Sequence, residues 1–576
     1  MKKLLVHLNP YRLEALLGPV FKLLEAALEL VVPLVVAKVI DNGIAHSDSG
    51  YVIRMCICLI VLGMIGLSSS ITAQYFSAKA ATGFAKEVRE VLFSKIMKLT
   101  HSQVDQMGTD TLITRMTSDL NQVQDGVNMT LRLLLRSPFV VFGAMVMAFT
   151  IDVKIGVIFL IAIIILSIVV YIILKVTVPM YRSVQGLLDK VLGTTRENLM
   201  GVRVIRAFVR EKEEVVKFRQ ENETLTKRQK TVGRISGLMN PLTFAIINIA
   251  IIILVYKGAV QVSAGLLTQG AVVALYNYMS QILVELIKFA YMIINLSKAI
   301  ACGNRVQEQL ELCEEAIATE TVSQIVSDKA FLEADQACLR YEGTPEDALS
   351  DISLKMNKGD IVGIIGGTGS GKSSLVQMLQ GLYALRKGEI YFSGEKIDPF
   401  AGEHLRRRIG YVPQKAVLFQ GTLRENLLWG NPDATDEELL QALRNAQFSD
   451  VVEKKEGLDT DVEQGGGNFS GGQKQRISIA RALVREPELL ILDDSTSALD
   501  LATEAELRKV LLTLPYKPLM LLVSQRVSFL SHTDRILVLE DGRIVGDGVH
   551  NELLKNCTVY RELAKSQGVG GIENER

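Results

Sequence analysis

Three windows of this chain, residues 55–78, 155–174 and 235–256, contain no charged side chain. Each is long enough to cross a bilayer as a helix, which takes about 20 predominantly apolar residues. Residues 133–151 are almost as apolar, with Arg136 as the one charge. Two further apolar segments do carry charge: 13–37, with Lys22, Glu25 and Glu29, and 271–296, with Glu285 and Lys288. Six membrane spans are therefore expected, all within the first 300 or so of 576 residues. A mean hydropathy of +0.25 hides this asymmetry, because the remainder reads as ordinary globular sequence. The length alone calls for at least two domains, and a net charge of zero argues against a nucleic-acid partner.

Orientation follows from the basic residues. The links at 45–52, 152–154 and 257–270 are short and almost free of Lys and Arg, whereas those at 79–131 and 175–234 are long and basic. Both termini and both long links are thus expected in the cytoplasm. The long links hold little Pro or Gly and keep a helical apolar period, as in "FAKEVREVLFSKIMKLT". Membrane helices should continue through them, projecting roughly 35–40 Å for some 25 residues at 1.5 Å each. Their far ends must touch something.

Charges inside spans cost about 2.5–3.5 kcal/mol each on insertion scales, so they face a cavity or a partner. Glu25 and Glu29 lie one turn apart with Lys22 behind them, and Glu285 and Lys288 are similarly spaced. Two readings stay open: Glu25, Glu29 and Glu285 line a substrate cavity, or they form ion pairs and snorkel. Six scattered cysteines, Cys56, Cys58, Cys302, Cys313, Cys338 and Cys557, are expected to be reduced and structural. The start, "MKKLLVHLNPYR", lacks the apolar core and cleavage site of a signal peptide.

Residues 311–329 are polar and connective, and an α/β pattern begins at 330. A β-branched run at 361–365 leads into Gly366, Gly367, Thr368, Gly369, Ser370, Gly371, Lys372, Ser373 and Ser374, then an apolar helix. This is a complete G-x-x-x-x-G-K-[ST] phosphate loop in its expected strand-to-helix setting. Its glycines let backbone N–H groups wrap phosphates, and the helix N-terminus adds positive potential. Lys372 suits the terminal phosphates and the Ser373 hydroxyl suits Mg²⁺. The apolar run 489–492 delivers Asp493, the expected water-mediated Mg²⁺ partner of such a loop. Just before that run, "NFSGGQKQRISIARAL" places glycines at a helix start, a second anion-binding nest.

On these motifs, residues 330–576 resemble the nucleotide-binding domain of an ATP-binding cassette (ABC) transporter, and residues 1–310 the six-span domain of ABC exporters. The implied fold is multidomain: an all-α six-span transmembrane domain, a linker, then an α/β P-loop domain. "GTDTLITRMTSDLNQVQ" and "NLMGVRVIRAFVRE" match the family's cytoplasmic loops, whose short coupling helices dock on nucleotide-binding domains. The resemblance implies ATP and Mg²⁺ as ligands and adenine stacking on Tyr341. It implies that Gln414 senses Mg²⁺ and the γ-phosphate, and that Ser470, Gly471, Gly472 and Gln473 close over ATP held by the other subunit. Asp500 would reach across the dimer interface. The implied setting is a bacterial plasma membrane, with both termini and the nucleotide-binding domain cytoplasmic.

Two positions depart from the family pattern. A glutamate is expected after the Walker B aspartate, to polarise the attacking water, but Asp494 stands there. A histidine is expected before Arg526, but Gln525 stands there, and His532 and His550 lie too far along the chain to substitute. Aspartate is one methylene short, a deficit of roughly 1.3 Å given a C–C bond of ~1.5 Å, and misplacement by ~1 Å can cost ~10²-fold. Glutamine stays neutral where imidazole can carry charge. Asp494 and Gln525 therefore mark a degenerate base and a degenerate switch in a slow or inactive ATP site. A homodimer would hold two such sites, while the intact Ser470–Gln473 loop would then complete no competent one. The expected assembly is a heterodimer with a homologous half-transporter that supplies the glutamate and the histidine. The expected activity is that of an ATP-hydrolysing translocase exporting small amphipathic compounds by alternating access. A lipid or peptide exporter of the same build, or an ATP-gated channel or regulatory subunit, is the rival.

Overall fold

The computed structural model describes residues 3–312, 330–397, 402–449 and 457–569. Nearly all of the expected linker 311–329, with Cys313, lies outside the described residues. The chain divides into two compact units. One comprises Met1–Ile96 and Asp110–Leu312; the other comprises Met97–Thr109 and Cys313–Arg576. The second unit thus claims a short segment that sequence order places among the membrane helices.

The first unit is helical. Its main elements are α1 (Arg12–Lys38) and α2 (Ser49–Ile96), then, beyond α3 (His101–Met107) of the second unit, α4 (Thr109–Ile151), α5 (Val153–Met200), α6 (Val202–Ala207), α7 (Glu211–Ser263) and α8 (Gln269–Leu310). Five of these, α2, α4, α5, α7 and α8, are long and apolar enough to cross a membrane. The sixth expected span, α1, is 27 residues long, sufficient by length but not by composition, because of its charges. The 48 residues of α2 and of α5 extend about 72 Å each at 1.5 Å per residue, more than twice a ~30 Å hydrocarbon core. The expected continuation of membrane helices beyond the bilayer is therefore present.

Small residues let these helices approach closely, as is usual where lipid offers no hydrophobic drive for association. A Cβ on Gly126 would lie 2.2 Å from Ala299 Cβ, and one on Gly143 would lie 2.4 Å from Leu30. Ala26, Ala144, Ala148 and Ala274 are fully buried around Phe159 and Tyr278. The Tyr278 hydroxyl donates to the Leu30 carbonyl at 2.6 Å, tying α8 to α1.

The charges in the spans are paired. Arg136 donates to Glu285 Oε1 at 2.5 Å and to Glu29 Oε2 at 2.7 Å. Glu285 also accepts from Ser137 Oγ at 2.9 Å and Lys288 Nζ at 2.9 Å. Lys22 pairs with Glu25 at 2.5 Å. Glu29, Glu285 and Lys288 nonetheless border a cavity of about 370 Å³ together with Asn277, Ser280 and Gln281.

The second unit holds β1 (Leu332–Leu339), β2 (Leu349–Met356), β3 (Ile361–Gly366), α9 (Lys372–Leu379), β4 (Lys387–Phe392), β5 (Glu395–Lys396) and β6 (Ile409–Val412). It continues with β7 (Gly421–Thr422), β8 (Asp461–Val462), α10 (Gly471–Val484), β9 (Leu489–Asp493), α11 (Leu501–Leu512), β10 (Leu519–Val523), β11 (Arg535–Glu540) and β12 (Arg543–Gly548). A six-stranded sheet runs β12-β11-β3-β10-β9-β6, parallel apart from the β12 edge. A second, antiparallel sheet runs β2-β1-β4-β5. β9 and β10 are buried along their whole length, the continuous apolar run typical of a parallel strand covered on both faces. Their C-terminal ends, with that of β3, form the edge where open α/β sheets bind ligands.

Candidate nucleotide site

At the end of β3 the chain leaves the sheet at Gly366, where a Cβ would lie 2.3 Å from the Leu539 carbonyl and 2.4 Å from Ser370 Oγ. Only glycine fits so close to backbone. Gly369 and Gly371 take φ of 84° and 98°, the left-handed region glycine enters without penalty. The loop then turns into α9 at Lys372. The Lys372 ammonium donates to the carbonyls of Gly366 (2.9 Å) and Gly367 (2.7 Å), which folds the side chain over its own loop. Burial lowers its pKa, against the opposing pull of the Asp494 and Asp493 carboxylates.

Asp493 closes β9, paired in register with Val523 of β10, and is 7% exposed. Burial raises its pKa, partly offset by the Tyr411 hydroxyl, which donates to it at 3.4 Å. Asp494 follows in left-handed backbone at φ 46°, its N–H donating to the Val523 carbonyl at 2.9 Å. Aspartate is among the few non-glycine residues at ease there. Its Oδ2 accepts from Gln414 Nε2 at 3.2 Å. Burial raises this pKa too, opposed by the Gln414 bond and by Arg526 and Lys372. The structure thus gathers Lys372, Asp493, Asp494 and Gln414 at one sheet edge.

Gln525 follows β10 with an exposed side chain that makes no hydrogen bond among the described residues, while its carbonyl accepts from Gln567 Nε2 at 2.7 Å. His550 is engaged elsewhere, its Nδ1 lying 2.7 Å from the Tyr560 hydroxyl. Tyr341 is half-buried; its hydroxyl donates to Gln377 Oε1 at 2.8 Å and lies 3.0 Å from Ser374 Oγ, both on α9. The tyrosine is therefore tied to the phosphate-loop helix.

Ser470 caps α10 in a reciprocal box: its Oγ accepts from Gln473 N at 3.3 Å, and its N–H donates to Gln473 Oε1 at 2.9 Å. Ser470 and Gly471 are exposed. Close to them, a Cβ on Gly472 would lie 3.0 Å from the Ala498 carbonyl. Asp500 caps α11 by accepting from Thr503 N at 2.9 Å and Thr503 Oγ1 at 2.8 Å; these bonds lower its pKa.

These residues fit a magnesium nucleotide. The Ser370 hydroxyl is buried without a hydrogen-bond partner, which an incoming phosphate oxygen would satisfy. Open space lies around the Cβ positions of Gly367 and Gly369, so backbone can meet a ligand there. Ser373 and Asp493 supply hard oxygen donors of the kind Mg²⁺ takes, and Gln414 a third. Lys372, whose ammonium lies over the loop on the Gly366 and Gly367 carbonyls, could turn to neutralise phosphate charge. Substituting Lys372→Ala should weaken nucleotide binding at this site by about ten- to 150-fold, the worth of a hydrogen bond to a charged group of ~1.5–3 kcal/mol. Titration with a fluorescent ATP analogue checks this; unchanged affinity would remove Lys372 from the site.

Sequence reasoning missed Tyr411, which holds Asp493, and Tyr383, which packs edge-on against Tyr341 with ring centroids 5.0 Å apart. Neither carried a motif signal. The hub role of Arg136 was signalled by its being the one charge in an apolar window.

Comparison with known proteins agrees with this geometry. Residues 15–286 match the ABC transporter transmembrane region and residues 349–497 the ABC transporter domain. The uncharacterized ABC transporter ATP-binding protein YfiB of Bacillus subtilis is 36% identical over 568 residues, covering 98% of both chains. Rv1273c of Mycobacterium tuberculosis, also described as an uncharacterized ABC transporter ATP-binding protein, is 33% identical over 577 residues, again covering 98% of both. YgaD of Bacillus subtilis, a putative multidrug export ATP-binding/permease protein, is 29% identical over 591 residues and 99% of both. An ATP-bound bacterial Atm1-family ABC exporter has the same fold, with a TM-score of 0.81 at 21% identity, over 98% of this chain and 99% of that one.

Proposed function

Since the chain belongs to the ABC transporter family, with transmembrane and ATP-binding domains fused in one polypeptide, we propose that it exports amphipathic compounds as the impaired-site half of a heterodimer. It is a multi-pass membrane protein whose ATP-binding domain is cytoplasmic. Small amphipathic molecules would enter from lipid or cytoplasm and leave by alternating access.

The observation that carries the reading is the state of Asp494. Its short carboxylate is already engaged by Gln414 at 3.2 Å. The neighbouring switch position offers only the neutral amide of Gln525. Lys372, Ser373, Asp493 and Gln414 would still hold ATP and Mg²⁺, so the site binds well and turns over slowly.

Two surfaces support a second chain. Ser470 and Gln473 bond to each other and leave the α10 N-terminus exposed, a ready site for a phosphate held by a partner. Around α6, in the second matched loop, Met200, Phe208 and Val209 are 82%, 73% and 79% exposed, apolar surface of a kind that marks an interface. The complex extracted from its native membrane should contain one copy of this chain and one of a homologous half-transporter. Native mass spectrometry decides: a homodimer with full ATPase activity would sink the reading.

A further inference from the structure

We infer that Tyr383 is a positioning residue: through it, adenine stacking on Tyr341 fixes the cytoplasmic helix α3 of the same chain. This rests on the ATP-site reading above. The helix α3 is well defined locally, with Thr100 and Gln103 forming a reciprocal capping box. It is held within the second unit at two points, and both adjoin Tyr341. Ser102 Oγ donates to the Glu342 carboxylate at 3.0 Å, and Glu342 is the chain neighbour of Tyr341. The Tyr383 hydroxyl donates to the Asp105 carboxylate. The Tyr383 ring also meets His101 edge-on, with centroids 6.3 Å apart.

Tyr341 therefore sits between the two anchors. Its ring packs on Tyr383 at 88° between planes, and its hydroxyl is bound to Ser374 and Gln377 of α9. A purine base stacked on Tyr341 restricts the motion of that ring. A fixed Tyr341 ring supports Tyr383, which is 9% exposed and has few other orientations open to it. Burial and the Asp105 carboxylate push the Tyr383 phenol well up, so it stays a hydrogen-bond donor at physiological pH. The α3 helix follows α2 directly in the chain, so restraint of α3 reaches the end of a membrane helix by covalent connection. Because ATP would persist at this slow site, the clasp would outlast turnover at the other one.

The test is amide hydrogen exchange on the intact complex in lipid nanodiscs, following peptides from 97–109 and 366–379. ATP is compared with inorganic triphosphate, which has the phosphates but no base. ATP should slow exchange in both peptides, triphosphate in 366–379 alone. In Tyr383→Phe, ATP should still slow 366–379 at a half-saturating concentration within about threefold of the parent, while slowing of 97–109 falls at least about fivefold. Asp105→Asn, which keeps an acceptor oxygen, should retain most of the effect. The base dependence separates this from a merely structural role, which would loosen both peptides with either ligand. Equal slowing of 97–109 by triphosphate, or an unaltered Tyr383→Phe, would overturn the inference. Failure of ATP to slow 366–379 in the parent would instead overturn the ATP-site reading, and this inference with it.

Discussion

In the proposed heterodimer, replacing the partner's Walker B glutamate by glutamine is expected to lower ATP turnover by about 10²-fold or more, since a positioned base contributes about 10²–10⁴-fold. On the same proposal, Asp494→Asn in this chain is expected to change turnover by less than about twofold, because an impaired site has little base catalysis to lose. The two substitutions are chemically alike, each turning a carboxylate into an amide at the same place in the motif. Their contrast therefore isolates position from chemistry. The Asp494 carboxylate stands one methylene short, and its Oδ2 is taken by Gln414. Steady-state phosphate release from the purified pair measures both variants. Equal damage from the two would show Asp494 to be a working base.

The second large effect is on stability. Arg136 is buried and pairs with two carboxylates, Glu285 at 2.5 Å and Glu29 at 2.7 Å. Removing one member of such a pair leaves an uncompensated buried charge and costs about 3–5 kcal/mol. Arg136→Met should accordingly lower the unfolding temperature in detergent and the yield of monodisperse protein. Glu285 would suffer most, being 3% exposed, although Lys288 and Ser137 still reach it. Arg136→Met combined with Glu285→Gln should recover most of the loss, since apolar or neutral replacement of a whole buried pair is often close to neutral. Thermal unfolding of the single and double variants checks the sign. A single variant as stable as its parent would show that the charges are hydrated rather than buried.

Much of this molecule was legible in its sequence because strong constraints act locally. A bilayer offers the backbone no hydrogen bonds, so windows such as 155–174 could be little other than helix. The phosphate loop was equally plain, because only glycine tolerates the approach of Gly366 to the Leu539 carbonyl. What escaped was non-local. Glu29 and Glu285 lie 107 and 149 residues from Arg136, so no spacing rule could pair them. The first expected span is an apolar segment that carries charges, and α1 is not among the five helices apolar enough to cross a membrane. Tyr383 escaped for the same reason, since its contact with Asp105 spans 278 residues. Asp500 and Ser470 were assigned to an interface, and the structure adds that both cap helices of their own chain.

The membership of Met97–Thr109 in the second unit has a consequence for biosynthesis. The segment leaves the ribosome long before the cassette that receives it. At about 5–20 residues per second, the 278 residues between Asp105 and Tyr383 take roughly 15–55 s to synthesise. Through that interval α2 and α4 can enter the membrane while the loop between them has no place to dock. The second unit is then completed backwards, when a late-made surface captures an early-made helix. A chain released before Tyr383 emerges would keep its membrane helices and still present an unfilled hook to the quality-control machinery of the cytoplasm.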